Sequence, residues 1–272
     1  MKKRNVIVGT ILSLISIGQP FIIKSGVVLS TTSLMLALPQ KVNAKSADKY
    51  FDIAYEMGNK GDHKGALKNY TKVIELEPDN YVAYSNRGLS KSNLGDEYAA
   101  ISDYNKSIEI NSNYALAYSN RGWSKNVIKD YKGAIADFDK AIEIDPKNEK
   151  NYVNRGLSKS YLGDEYAAIS DYNKAIKLDP EYSLAYYNRA WSKKSIEDLK
   201  GSIADYTKAI KYDPKYFKAY VNRGNIKYDM GDKRAACKDY KKSISLGDTE
   251  TANWLKTDRA KWCREMKFKS II

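Results

Sequence analysis

The chain has 272 residues, 43% of them hydrophobic and 29% charged, which excludes a protein made mainly of membrane spans. Its formal net charge of +13 points at first to a polyanion, but the two ends carry most of it. Residues 1–44 hold five basic residues and no acid, and residues 251–272 a net of +4, which leaves only +4 between them. The dense basic stripe that phosphate neutralisation requires is missing, so no nucleic-acid partner is expected.

The N-terminus opens on Lys2-Lys3-Arg4, followed by apolar runs over 6–23 and 26–38 and then Val42-Asn43-Ala44. Small or medium residues at −3 and −1 before a polar chain form a signal-peptidase pattern. Residues 1–44 are therefore expected to be an export signal cut after Ala44. The alternative is an uncleaved membrane anchor through residues 1–38, since the first run approaches the ~20 apolar residues of a span. Both readings put the remaining chain outside the cytoplasm, in a periplasm or another extracytoplasmic compartment.

From residue 47 the chain repeats itself every 34 residues, over 47–80, 81–114, 115–148, 149–182, 183–216 and 217–250. The motif Tyr-x-Asn-Arg-Gly/Ala starts at Tyr84, Tyr118, Tyr152, Tyr186 and Tyr220. A fixed period of this length marks a solenoid of one repeated helical unit. In the fourth unit, Glu149 to Leu162 reads as helix A and Glu165 to Leu178 as helix B, with Gly163-Asp164 as the turn. Asp179-Pro180 ends helix B, because proline cannot continue it. Tyr84 to Ile110 and Tyr152 to Leu178 differ at only a few places, and copies three and five share Trp-Ser-Lys at Trp123 and Trp191. The inner surface should therefore alternate with a period of two repeats.

This pattern resembles the tetratricopeptide repeat. The large aromatic at position 4 is Tyr50 and its five successors. The small residue at position 8 is Ala54, Gly88, Gly122, Gly156, Ala190 and Gly224. Position 20 is alanine except for Ser202, and position 24 is tyrosine except for Phe138. Ser112 and Asp248 replace the usual proline, and Val73, Ser107 and Ser243 the usual alanine at position 27. The resemblance implies an all-α fold: a right-handed superhelical solenoid of about six helix-turn-helix repeats with a C-terminal capping helix. It also implies a non-catalytic scaffold or adaptor that holds a protein or peptide segment in a groove, or an anchored assembly factor using the same groove.

Arg87, Arg121, Arg155, Arg189 and Arg223 stand where the family usually has leucine. They occur only with Asp103, Asp137, Asp171, Asp205 and Asp239, and the first repeat has neither. A partly buried arginine needs a carboxylate, so these are read as structural ion pairs from helix A to helix B of one repeat. The asparagines of the motif, Asn86, Asn120, Asn154, Asn188 and Asn222, are candidates for the groove. A side-chain amide both donates and accepts, and can hold a peptide backbone of any sequence. Trp123, Trp191 and Tyr187 are expected to add selectivity, together with other residues at positions 5 and 9.

Residues 251–272 read as a capping helix and basic tail, with Trp254, Leu255, Trp262, Cys263 and Met266 covering the last repeat. The two cysteines, Cys237 and Cys263, are candidates for a disulfide worth ~3 kcal/mol on the chain-entropy account. No enzyme is expected, because nucleophile elbows, phosphate loops and metal-ligand spacings are missing. No cofactor or metal is expected either, since His63 is the sole histidine and has no cysteine or histidine at metal-ligand spacing. A monomer is the expected state.

Overall fold

The computed structural model describes residues 46–266. The expected export segment over 1–44 and the end of the basic tail lie outside the described residues. Among the described residues every regular element is helical, and none is long and apolar enough to cross a membrane.

Six helix pairs follow one another. They are α1 (46–59) with α2 (His63–Leu76), α3 (Tyr81–Asn93) with α4 (Glu97–Ile110), and α5 (Ala115–Val127) with α6 (Tyr131–Ile144). Then come α7 (Glu149–Tyr161) with α8 (Glu165–Leu178), α9 (Ser183–Ser195) with α10 (Leu199–Tyr212), and α11 (Phe217–Asp229) with α12 (Lys233–Ser245). Each helix packs on the next in the chain, and the first helices of neighbouring repeats also touch, α3 on α5, α5 on α7 and α7 on α9. This is the serial packing of a solenoid.

Local chemistry sets the boundaries. Every second helix is capped by an aspartate: Asp62, Asp96, Asp130, Asp164, Asp198 and Asp232. Each accepts the backbone N–H three residues on, at 2.8–3.0 Å. That satisfies one of the orphan donors of the helix start. The residue before each cap is left-handed. Glycine takes that place in four repeats, but Lys129 and Glu197 take it at φ 65° in the third and fifth. At the far end, Glu77, Asp145, Asp179 and Asp213 stop the second helix just before a proline.

Between the helices of one repeat the core is alanine against aromatic ring. Ala66, Ala100, Ala134, Ala168 and Ala236 are fully buried, as are Tyr104, Phe138, Tyr172 and Tyr206. Gly156 shows why its position is small. A Cβ there would lie 2.7 Å from the Tyr172 ring, so glycine lets the two helices close on that ring. Where the fifth repeat carries Ala190 instead, Ser202 donates from its hydroxyl to the Ala190 carbonyl at 2.6 Å.

The C-terminal cap differs from the single capping helix expected there. It is α13 (Thr249–Leu255), a 3-10 turn (Asp258–Ala260) and α14 (Lys261–Arg264). Thr257 is extended, and Arg264 donates to the carbonyls of Leu255, Lys256 and Thr257 at 2.9–3.1 Å. The side chain thus takes the carbonyls freed by the break. The break lets both tryptophans reach the sixth repeat: Trp254 packs on Tyr240 at 5.0 Å and Trp262 on Tyr228 at 5.1 Å between ring centroids. Cys237 on α12 and Cys263 on α14 are joined by a buried disulfide.

Candidate functional site

The recurrent charged residues form one motif in five repeats. Each arginine donates from Nε and Nη2 to both carboxylate oxygens of its aspartate, 16 residues on, at 2.6–2.9 Å. A lysine four residues after the arginine reaches the same carboxylate at 2.8 Å; these are Lys91, Lys125, Lys159, Lys193 and Lys227. Each guanidinium also lies 5.4–5.6 Å from the centroid of the tyrosine three residues before it. The remaining arm, Nη1, crosses to the second helix of the preceding repeat. It meets Thr71, Asn105, Asp139, Asn173 and Thr207 in turn. These side chains are therefore spent on the scaffold, within repeats and between them.

Among the recesses that open on the first-helix side, two adjoin one another. One, of about 560 Å³, lies where α9, α11, α12 and α13 meet, with Trp191, Val221, Asn222, Tyr228 and Trp254 in its wall and Lys218 as its cation. The other, of about 420 Å³, lies between α7, α8 and α9 and is lined by Leu157, Tyr161, Glu165, Tyr172, Asn188 and Trp191. Tyr187 and Trp191 belong to both, so the recesses are two bays of one groove.

Trp123 and Trp191 are about half exposed, at 47% and 49%, and Leu89 in the equivalent place of the second repeat is 44% exposed. These apolar side chains face solvent rather than the core. Tyr187 has a mixed role. It stacks on Tyr216 at 4.7 Å and meets Tyr206 edge-on at 5.5 Å, while its hydroxyl accepts from Asn222 Nδ2 at 2.8 Å. Burial raises its pKa, and the Asn222 bond opposes that. Position 5 is otherwise a packing position rather than a groove position in part of the array, since Ser85 and Val153 are buried.

All five motif asparagines are half-buried. Asn222 is engaged with Tyr187, and Asn86 lies against the Tyr70 hydroxyl. Asn120, Asn154 and Asn188 make no side-chain hydrogen bond to any described residue, which leaves both halves of each amide available. Asn188 lines the second bay. The wall supplied by the cap, Thr251 and Trp254, was not foreseen as part of a groove, although the cap's two tryptophans were the available signal. Among the described residues, no three His, Cys, Asp or Glu side chains converge as a metal site.

The pattern of the tetratricopeptide repeat matches residues 47–80, 81–114, 149–182 and 217–246, and also 115–148. A TPR repeat pattern matches 195–231. The chain is a tetratricopeptide repeat protein. Solved tetratricopeptide folds superpose on it. MamA matches with a TM-score of 0.56 and 24% identity, over 64% of this chain and 96% of MamA. YrrB, described as a TPR protein with an unusual peptide-binding site, gives 0.54 and 22% over 69% and 97%. PilF of Pseudomonas aeruginosa gives 0.67 and 15% over 78% and 97%. Identities this low speak for the fold alone. A curated relative, an uncharacterized protein of Methanocaldococcus jannaschii, is 42% identical over 48 residues. That stretch is 18% of this chain and 56% of the relative, so the chain spans about half the length of the curated relative it matches.

Proposed function

We propose that this tetratricopeptide repeat protein is a non-catalytic adaptor that holds an extended protein segment along its first helices, from Trp123 to the recess under the cap. The observation that carries the reading is the pair of bays joined at Tyr187 and Trp191, where exposed aromatic surface lies beside the unspent amide of Asn188. Aromatic anchors in a concave site supply affinity, while amides hold a backbone without reading its sequence. The peptide-binding site described for YrrB supports this reading by analogy of fold.

The expected site is export, with residues 1–44 as a cleaved signal or a membrane anchor, and the Cys237–Cys263 bond fits a chain that matures in an oxidising compartment. The mass of the mature chain separates cleavage from anchoring.

Panning a displayed library of random peptides, about 16 residues long, against the full-length chain tests the adaptor reading. Bound peptides should lose at least about tenfold in affinity to Trp191→Ala and to an Asn188→Ala/Asn222→Ala double variant. A library that yields no binder, or binders indifferent to these changes, contradicts it.

A further inference from the structure

The second bay contains a carboxylate without a cation. Among the described residues, Glu165, in the first turn of α8, accepts only from the Ser160 hydroxyl, at 3.1 Å to Oε1 and 3.0 Å to Oε2. The nearest repeat lysines are taken elsewhere, Lys159 by Asp171 and Lys193 by Asp205. Around it stand Tyr161, Tyr172, Asn188 and the half-exposed Trp191. Glu165 also adds to the burial that raises the Tyr172 hydroxyl.

Two repeats earlier, 68 residues back in register, Glu97 takes the equivalent place, more deeply buried. Glu97 in the first turn of α4 accepts from the Ser92 hydroxyl at 3.0 Å through Oε1. It is 8% exposed, and its Oε2 is buried without any partner. Leu89 and Trp123, both exposed, take the places of Leu157 and Trp191. The first, third, fifth and sixth repeats carry His63, Tyr131, Leu199 and Lys233 at the corresponding position. An acid in a first turn gains from the helix dipole even when fully exposed. Burying Glu97 with an empty oxygen costs free energy.

We propose that Glu165 and Glu97 are receptor carboxylates for basic side chains, so that the groove selects a segment carrying arginine or lysine residues spaced two repeats apart. Trp191 in the bay of Glu165, and Trp123 at the equivalent place two repeats earlier, supply faces for the bound cations, and Asn188 and Asn120 hold the backbone between. The net positive charge of the whole chain does not oppose this. Charges beyond ~8 Å are largely screened at physiological ionic strength, while contacts inside a recess are screened much less. The inference rests on the groove reading above and narrows it to a class of partner.

The same peptide panning tests it, with the full-length wild type compared with a Glu97→Gln/Glu165→Gln variant. Glutamine keeps the shape and can still accept from serine, so the fold should be retained, and unchanged helical circular dichroism checks that. Arginine and lysine should be enriched in peptides selected on wild type, and each Glu→Gln change should weaken them about tenfold. Trp191-dependent binders with no basic enrichment, or basic binders indifferent to both glutamines, overturn the inference and leave the adaptor reading standing. The absence of any binder overturns both.

Discussion

Arg155 binds Asp139 of the preceding repeat through Nη1 at 2.6 Å while its Nε and Nη2 hold Asp171 of its own repeat. One side chain thus ties helix to helix within a repeat and repeat to repeat along the array. Burial lowers the tendency of this guanidinium to stay charged, but the hydrogen bonds to Asp171 and Asp139 together outweigh that and raise its pKa.

Arg155→Ala is therefore expected to destabilise the array by about 2–3 kcal/mol, because Asp171 stays buried with Lys159 alone. Arg155→Lys should restore little, since a single ammonium cannot occupy three oxygens in a fixed plane. Arg87→Ala should cost less, as its crossing arm reaches only Thr71 at 3.4 Å. Urea midpoints of the three variants check the order.

Lys129 and Glu197 occupy a left-handed turn where the other repeats have glycine. Lys129→Gly and Glu197→Gly are each expected to raise stability by about 0.5–1 kcal/mol, as relief of backbone strain exceeds the entropy that glycine adds to the unfolded chain. A thermal midpoint that falls in both variants would contradict this.

Asn151 is 1% exposed, and its Nδ2 has no partner, although its Oδ1 accepts from Ser119 at 2.6 Å. The equivalent residues Ala83, Ala117, Ala185 and Ala219 are fully buried alanines. Asn151→Ala should be neutral or stabilising by up to about 1 kcal/mol, because Ser119 keeps its bond to the Ala115 carbonyl. A loss of more than about 1 kcal/mol would show that the amide is needed at this junction.

The tyrosine core makes the protein sensitive to alkali. Burial pushes the Tyr70 and Tyr240 hydroxyls up to about 12 from an ordinary 10.0, and raises Tyr104, Tyr172, Tyr206 and Tyr216 as well. Between pH 10 and 12 the unfolded phenols have lost protons that the folded ones retain. The unfolded state then binds fewer protons, so stability falls as pH rises through this window and is fully kept below it. Denaturant midpoints measured from about pH 9 to about pH 11.5 should drop, and less steeply in Tyr104→Phe, since Phe138 fills the same place in the third repeat.

The fold was legible because each repeat restates it. Gly156, Tyr172 and Pro180 recur at the same offsets, and Arg155 and Asp171 come and go together from repeat to repeat, which marks them as a pair. The reach of Arg155 to Asp139 was not legible. Thr71, Asn105, Asp139, Asn173 and Thr207 share an address but no chemistry beyond an acceptor oxygen, so no repeated letter marked them. The broken cap was hidden for a related reason: Arg264 satisfies the carbonyls that Thr257 frees, and such a bond has no periodic signature. The asparagines were visible as a ladder, yet Asn222 is spent on Tyr187 while Asn188 is not, a difference fixed by one hydroxyl across the groove.

The central claim is that partners lie along the first helices and not on the outer second helices. The most direct measurement places a photo-reactive group on a selected peptide and maps its cross-links on the full-length chain by mass spectrometry. Cross-links at Trp123, Tyr187, Trp191 and Val221, spreading to Trp254 of the cap, are the predicted result. Cross-links concentrated on the outer faces of the second helices, at Lys106, Lys140 or Lys208, would contradict it.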